Sequence, residues 1–381
     1  MARLFLLARR SISFHRYRSA IIALCLGVTI ALPVSVRVMV WRFQQQVSQR
    51  AEATPLVIGP RTSRFDLVLH ALYFQSDVRG RLKMELLDEV ADGLAARAIP
   101  LHAGHRAQQQ PVVGTTADYF AFRQLELASG QDWQRLGDCL LGASVARRLQ
   151  LQTEDSLLTD PLDPFNIVGT APLKMRVVGL LAANGSADDN AVFVSLETAW
   201  VIEGIGHGHQ NVEQEQHGQL GMSASFTEVT DNNLDSFHFH GSRSSFPLTA
   251  ILAVAENPRQ ATLLEARFLD PESTVQSLRP VDVVEEMMGL VFRAQQFFDL
   301  LAVLMAAVTI VLLGLVIALS QRLRAREMRT MVKIGSSRSL TFWLQATELG
   351  LLCLAGLLFA AALVAISMGL LPQLMDRVIS A

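Results

Sequence analysis

The chain has 381 residues, of which 50% are hydrophobic. Only 18% are charged, against about 25% in a typical soluble domain, and this deficit predicts long apolar segments. The formal net charge of −2 excludes a generally basic nucleic-acid-binding protein. Cys25, Cys139 and Cys353 are too few and too scattered for a disulfide framework or a CxxC metal site, so we interpret them as unpaired.

The first apolar segment covers residues 20–36 and continues past Arg37 to Trp41. Its length of about 22 residues is enough for a helix to cross a bilayer. The alternative is a cleavable signal peptide, whose apolar region spans about 7–15 residues and is followed by small residues. Here the segment is longer and bulky Trp41 follows it, which favours a membrane helix that is not cleaved.

Two further apolar segments, residues 300–319 and 349–371, contain no charged residue. Each is long enough to span a bilayer. A buried helix of a soluble protein is the alternative, but such helices rarely stay apolar on every face over this length. The sequence therefore predicts three transmembrane α-helices.

The placement of arginine predicts the orientation of these helices. The first 18 residues carry five arginines and no acid. Between the second and third apolar stretches, residues 322–338 carry five arginines, Lys333 and a single acid, Glu327. Because basic flanks stay in the cytoplasm, we expect a cytoplasmic N-terminus and an extracytoplasmic segment at residues 44–296.

The segment 44–296 has the mixed patterning of an α+β domain. Residues 112–116 and 174–181 read as strands. The turn signal Asn184-Gly185 then predicts that residues 191–195 form the return strand of a hairpin. Residues 246–255 read as another strand, and Asn257-Pro258 is typical of a helix start.

Residues 281–298 lead directly into the second apolar segment and contain one helix breaker, Gly289. Apolar residues recur at Val281, Val284, Met288, Val291 and Phe298. We interpret this stretch as a helical stalk that carries the external domain. The alternative is an ordinary surface helix that happens to precede a membrane span.

Histidines are concentrated in one polar part of the external domain, at about 203–245, which we interpret as a flexible insertion. The five histidines are His207, His209, His217, His238 and His240. Imidazole binds Zn²⁺ and similar ions, so the insertion predicts a low-affinity metal-capture or sensor loop. The alternative is a solvated polar loop, and nothing in the sequence places His102 or His105 nearby. We expect structural roles for His15 and His70.

Three sets of stretches carry a family resemblance. The first is LARRSISFHRYRSAIIALCLGVTIAL; the second comprises PVVGTTADYF, LGASVARRLQL and VVGLLAANGSADDNAVFVSLETAW; the third is RAREMRTMVKIGSSRSLTFWLQATELG. They are similar, in that order, to the basic elbow with the first helix, the periplasmic core domain and the coupling helix of MacB/FtsX-type ABC transporter permeases. That family usually has four membrane spans, whereas this chain ends just after its third.

The resemblance implies three regions in a multi-pass protein of the bacterial inner membrane. Residues 1–43 would form the cytoplasmic elbow and first transmembrane helix. Residues 44–296 would form the large α+β periplasmic domain, a MacB-like core with its stalk. Residues 297–381 would form an FtsX-like membrane domain with a coupling loop at about 321–341 and two transmembrane helices.

The resemblance also implies a separate ATPase subunit. The chain has no Gly-Lys dipeptide and so no Walker A loop for nucleotide phosphates; we expect no enzymatic activity in this chain. Four cations in the coupling loop fall at i, i+4, i+7 and i+11, which is one helix face; the alternative is that they only set the topology. The residues expected to contact the ATPase are Arg322, Arg326, Glu327, Met328, Arg329, Met331, Lys333, Gly335, Ser336 and Glu348.

The leading interpretation is a permease subunit that couples ATP hydrolysis by its partner to periplasmic conformational change, export or mechanotransmission. Its further partners would be a second copy or a sister permease, and a periplasmic adaptor or substrate-binding protein. The alternative is a non-transporting, FtsX-like regulator that recruits or activates a periplasmic envelope enzyme. A membrane-anchored enzyme is disfavoured, because the sequence contains neither GxSxG nor HExxH.

Overall fold

The computed structural model describes all residues except 1, 15, 94–96, 162–170, 209–225, 231–232, 271, 334–337 and 380–381. The chain divides into two compact units. Residues 1–45 and 288–381 form one, which we call the helical unit, and residues 46–287 form the other, which we call the mixed unit.

The α-helices of the described residues are, in chain order, α1 (Ala2–Phe14), α2 (Arg16–Glu52), α3 (Arg64–Tyr73), α4 (Met84–Gly93), α5 (Ala117–Arg123), α6 (Ala143–Leu149), α7 (Leu196–Glu203), α8 (Pro258–Arg267), α9 (Pro280–Lys333) and α10 (Arg338–Ile379).

The strands are β1 (Leu56–Pro60), β2 (Leu82–Lys83), β3 (Arg97–Ala107), β4 (Gln110–Thr115), β5 (Leu127–Gly130), β6 (Asp138–Leu141), β7 (Ser156–Leu158), β8 (Leu173–Leu181), β9 (Val192–Ser195), β10 (Gly206–His207), β11 (Thr227–Glu228), β12 (His238–Phe239), β13 (Pro247–Leu248), β14 (Ala250–Val254) and β15 (Val275–Leu278).

Among the described residues, three helical segments are long and apolar enough to cross a membrane: Ser19–Glu52, Pro280–Leu312 and Phe342–Gly369. They confirm the expected fold class of three apolar helices with a large mixed domain. Helix α9 is 54 residues long, or about 80 Å at 1.5 Å per residue. It includes the whole stretch 281–298 without a break at Gly289; the stalk function of that stretch stays a prediction.

Close packing in the helical unit depends on two glycines. A Cβ atom added to Gly27 in α2 would lie 2.6 Å from Cδ1 of Phe359 in α10. A Cβ atom added to Gly356 would lie 2.7 Å from Cδ2 of Leu26. Small residues permit such close approach between membrane helices, where van der Waals packing drives association. Hydroxyl contacts at 3.2 Å add to this packing in the pairs Thr29–Thr309 and Ser35–Ser367.

The mixed unit is built on one large sheet with strand order β11-β8-β6-β9-β4-β3-β14-β1-β15; β5 and β7 also pair with β8. The sheet is mixed: β8 is parallel to β11 and β6, and β4 is parallel to β9, whereas β6 with β9 and β3 with β4 and β14 are antiparallel. Helix α7 contributes to both hydrophobic clusters of this unit, with Ala199 in one and Trp200 in the other. The indole Nε1 of Trp200 donates to the carbonyl of Pro247 at 2.9 Å.

The predicted hairpin between residues 174–181 and 191–195 is wrong in its pairing. Both stretches are strands, β8 and β9, but β6 lies between them and pairs with both. Strand β6 is buried along its whole length, so it fits the centre of a sheet, where both neighbours cover it. A short 3₁₀ turn, Ala187–Asn190, accompanies the Asn184-Gly185 turn in the connection.

The strand predicted at 246–255 is divided into β13 and β14 by Thr249. The Thr249 hydroxyl accepts from the backbone N–H of Ala103 at 3.0 Å and donates to the carbonyl of Leu101 at 3.1 Å. This fully buried side chain therefore replaces a regular ladder contact with β3. Helix α8 begins at Pro258, as predicted, with Asn257 as its N-cap.

Candidate functional site

Helix α9 contains most of the segment expected to contact an ATPase. The stretch from Arg322 to Lys333 is helical, because residues 320–333 contain no glycine or proline and are rich in strong helix formers. The expected loop at 321–341 is thus largely helical, and α10 resumes at Arg338. Gly335 and Ser336 lie outside the described residues. Of Arg326, Glu327, Met328, Arg329, Met331 and Lys333, the structure describes the backbone only.

Glu348, one of the residues expected to contact the ATPase, lies inside α10, ten residues after the start of the helix at Arg338. Its Oε2 accepts a hydrogen bond from the Ser11 hydroxyl of α1 at 3.1 Å, and the carboxylate is buried. Glu348 therefore links α10 to α1.

Three of the five clustered histidines come together in the mixed unit. His207 in β10 and His238 in β12 are direct partners in an antiparallel pair, so their side chains share one face of the ribbon. His240 follows two residues after His238 and returns to the same face. The ring centroids are 4.7 to 4.8 Å apart in all three pairs. His209 and His217 lie outside the described residues.

This cluster has the donor set of a transition-metal site. Each histidine offers one ring nitrogen, and these nitrogens lie within 4.8 Å of one another. Nδ1 of His238 lies 3.1 Å from the carbonyl oxygen of Ser236, and this contact is a hydrogen bond only when Nδ1 carries the proton. His207 and His240 are exposed, so an ion can reach the cluster from solvent.

The last turn of α2 carries a buried arginine that sequence reasoning missed. Nη1 of Arg50 lies 2.7 Å from Oδ2 of Asp188, and Nη2 lies 2.9 Å from Oδ1. The Tyr119 hydroxyl donates to Asp188 Oδ1 at 2.7 Å, and Nε of Arg50 donates to the carbonyl of Leu72. Arg50 therefore joins the end of α2 to α3, α5 and the turn that precedes β9. Its spacing after the apolar segment carries no signal of this role.

The electrostatics of this network favour the ion pair. Burial alone would raise the pKa of Asp188, but the hydrogen bonds and charge of Arg50 outweigh burial and hold that pKa below its ordinary value. Burial, followed by the charge of Asp188, raises the pKa of Tyr119. Tyr119 therefore stays protonated and keeps donating to Asp188.

A family comparison decides the identity of this architecture. The family described as MacB-like periplasmic core domain matches residues 19–234. The chain belongs to this family. The match confirms the resemblance to ABC transporter permeases, with the large mixed domain as the MacB-like core.

Two solved structures are similar to this chain at low sequence identity. The periplasmic region of MacB from Actinobacillus actinomycetemcomitans is 11% identical, with a TM-score of 0.37, over 64% of this chain and 97% of that one. The extracellular domain of the noncanonic ABC-type transporter YknZ from Gram-positive bacteria is 9% identical, with a TM-score of 0.34, over 58% and 98%. Comparison with curated proteins gives no match.

The MacB-like domain also contains a second, buried histidine cluster that sequence reasoning did not find. His102 and His105 lie in β3 with their ring centroids 5.6 Å apart, and Glu203 ends α7 beside them. Burial, with a further contribution from His102, lowers the pKa of His105 to about 4. The only sequence signal is the glycine between the two histidines, Gly104, which does not by itself predict a bulge.

Proposed function

We propose that this chain is the permease subunit of an ABC transporter and couples ATP hydrolysis by a separate ATPase chain to conformational change in its periplasmic domain. The observation that carries the proposal is the continuity of α2. This helix runs without interruption from Arg16, through the first apolar span, to the buried pair of Arg50 with Asp188. A displacement of this helix would therefore act on the buried network around Arg50.

Helix α9, which begins near the C-terminal boundary of the mixed unit, supports the same mechanism. It begins at Pro280 in the mixed unit, where Val283 and Val284 are buried, and continues unbroken to Lys333. Its last turns carry the basic residues expected on the cytoplasmic side. A partner ATPase that moves these turns would move a single helix that is anchored in the MacB-like domain.

Site-specific photo-crosslinking tests the ATPase contact. We expect a photoreactive amino acid at Met328 of the full-length chain, expressed in bacterial membranes, to crosslink to a protein with a Walker A motif, identified by mass spectrometry. The matched control is the same probe at Leu304, an exposed apolar residue of the α9 span, which should label no ATPase. Equal labelling from both positions, or none from Met328, would contradict the proposal.

Charge reversal tests whether the contact is specific. We expect the double variant Glu327→Lys with Arg329→Glu to reduce the Met328 crosslink about tenfold, equivalent to ~1.4 kcal/mol. The control reverses an exposed pair of the mixed unit, Arg64→Glu with Glu286→Arg, whose charged atoms are 3.4 Å apart. An unchanged crosslink in the Glu327 and Arg329 variant would show that these charges only set topology.

We also propose that His207, His238 and His240 bind a transition-metal ion such as Zn²⁺ at the surface of the domain. Three imidazoles whose nitrogens lie within 4.8 Å of one another support this proposal. Calorimetric titration of the full-length chain in detergent with Zn²⁺ should show a binding event that is lost in His207→Asn with His240→Asn. Identical heats in parent and variant would contradict it.

A further inference from the structure

The strand β3 is interrupted by one extra residue between its two histidines. His102 pairs with Gly114 and Ala103 with Val113, but His105 pairs with Val112, so Gly104 is unpaired. Gly104 has a φ of +125°, a conformation that glycine adopts readily and other residues do not. In a regular strand, residues three positions apart point to opposite faces. The bulge re-aims His105, and the two imidazole rings come within 5.6 Å of each other.

The third member of the cluster comes from a different element. Glu203 is the last residue of α7, which Gly204 ends in a left-handed conformation. Its Oε2 lies 2.8 Å from Nε2 of His102. One ligand atom from each of His102, His105 and Glu203 falls within 4.8 Å of the others. These are the spacings that a single metal ion can bridge.

Most polar atoms of this cluster are buried without a hydrogen-bond partner. Both ring nitrogens of His102 and of His105, together with Oε2 of Glu203, lack one among the described residues. His102 is 0% exposed and His105 is 5% exposed. The 2.8 Å approach of His102 to Glu203 has a suitable distance but not the direction that a hydrogen bond requires. Several buried polar atoms without a protein partner at one point indicate a bound water or ion.

We propose that His102, His105 and Glu203 form a buried binding site for a divalent cation of the zinc class. Two imidazoles and one carboxylate are a common set of protein ligands for Zn²⁺. Mg²⁺ and Ca²⁺ fit less well, because they prefer all-oxygen ligands. The bound ion would join the bulge of β3 to the end of α7. This site is separate from the permease function and from the exposed histidines.

The site has a route to solvent on one side. The side chain of Glu203 is 22% exposed, and that of Arg81 beside it is 41% exposed. Nε of Arg81 lies 3.6 Å from Oε1 of Glu203, the carboxylate oxygen that does not approach His102. Arg81 therefore compensates part of the charge of Glu203. Oε2 remains available to face the two imidazoles.

The two histidine clusters must be separated in any test, because Glu203 and His207 are only four residues apart. The parent for the experiment is the full-length chain in detergent with His207→Asn, His238→Asn and His240→Asn, which removes the exposed cluster. This parent is stripped with a chelator, loaded with Zn²⁺ and desalted. We expect one Zn²⁺ retained per chain by elemental analysis, together with a higher melting temperature than in the stripped protein.

The ligand variant in this parent is Glu203→Gln, which keeps the side-chain shape and removes the anionic ligand. We expect Glu203→Gln to weaken Zn²⁺ binding at least tenfold and to remove the metal-dependent shift in melting temperature. The matched control is Glu197→Gln at the other end of α7, where the carboxylate is exposed and 3.6 Å from Arg243. This control should bind Zn²⁺ as the parent does. Equal Zn²⁺ affinity in the parent and in Glu203→Gln would overturn the proposal.

A spectroscopic measurement on the parent does not depend on the folding of the Glu203→Gln variant. Co²⁺ is loaded in place of Zn²⁺, and its visible absorption reports the coordination number. An intense spectrum of four-coordinate Co²⁺ with nitrogen and oxygen ligands supports the site. The weak spectrum of octahedral, hydrated Co²⁺, or loss of all Co²⁺ on desalting, would overturn it.

Discussion

Arg50 and Asp188 form a bidentate ion pair, with side chains only 7% and 2% exposed and N–O distances of 2.7 and 2.9 Å. The two residues are 138 positions apart, so the pair closes a long stretch of chain. A buried pair of this kind is weak evidence of net stability, because desolvation offsets the attraction. We expect its value to lie in specificity, because an arrangement that separates the two residues leaves a buried charge unpaired.

Removing one partner of this pair should destabilise the mixed unit strongly. We expect Asp188→Asn to lower the free energy of unfolding by about 3–5 kcal/mol, because Arg50 would remain buried without a counter-charge. Denaturant unfolding of the full-length chain in detergent measures this. Tryptophan fluorescence is the signal, with Trp41 and Trp343 replaced by Phe so that the reporters lie in the mixed unit.

An exposed ion pair provides the control for this prediction. Arg64 and Glu286 approach to 3.4 Å with side chains that are 51% and 56% exposed. Arg64→Ala should therefore change the free energy of unfolding by less than about 1 kcal/mol. Equal destabilisation by Asp188→Asn and Arg64→Ala would contradict the prediction that Arg50 needs Asp188 as its buried counter-charge.

The same pair predicts a dependence of stability on pH. The pKa of Asp188 is lower in the folded chain than in the unfolded chain, where it is about 3.9. Its contribution is therefore complete above about pH 4 and is lost as the pH falls through the folded pKa. Below pH 4, the free energy of unfolding should fall less steeply in Asp188→Asn than in the wild type. Glu286→Gln should retain the wild-type slope, and equal slopes for all three proteins would contradict the prediction.

The three long apolar helices were predictable because an apolar stretch of some 20 residues has few other stable states. Several strands of the mixed unit were predictable for a related reason, since β-branched residues between turn signals favour extended structure. The pairing of the strands was not predictable from the sequence. Whether β9 lies beside β8 depends on where β6 inserts, and the partners of a strand are set by long-range packing that local pattern does not contain.

The histidine clusters also have a part that local sequence spacing predicts and a part that depends on long-range contacts. His238 and His240 share a face by simple alternation along a strand, so their proximity follows from the His-x-His spacing. The approach of His207 needs the pairing of β10 with β12. The buried cluster needs a bulge at Gly104 and the end of a helix about 100 residues away in sequence, Glu203. Neither the bulge at Gly104 nor the contact of Glu203 with the two histidines can be predicted from a local sequence pattern.

Cysteine labelling tests both the burial of Cys139 and the predicted topology. Cys139 is 0% exposed, and burial raises the pKa of its thiol, so the native chain should not react there with maleimide.

In a Cys25→Ala, Cys353→Ala background, Ser129→Cys on the exposed strand β5 should react with a membrane-impermeant maleimide in intact spheroplasts. Arg322→Cys should react only after permeabilisation. The reverse pattern would contradict a cytoplasmic N-terminus.

The contact of α2 with α10 should depend on the absence of a side chain at Gly27. A leucine there would overlap Phe359 and also the backbone carbonyl of Gly356, which lies 3.0 Å from the Cβ position. The phenyl ring can rotate, but a carbonyl within a helix cannot move without moving the helix. We therefore expect Gly27→Leu to separate α2 from α10 within the helical unit.

Disulfide crosslinking measures that separation directly. The hydroxyls of Ser35 and Ser367 are 3.2 Å apart, so Ser35→Cys with Ser367→Cys, in a Cys25→Ala, Cys353→Ala background, should oxidise readily within one chain. Adding Gly27→Leu should reduce the crosslinked fraction several-fold. Gly350→Leu on α10 is the matched control, because nothing lies within 4 Å of its Cβ position. An unchanged crosslinked fraction in Gly27→Leu would contradict the prediction. It would mean that the leucine side chain is accommodated without moving α2 or α10.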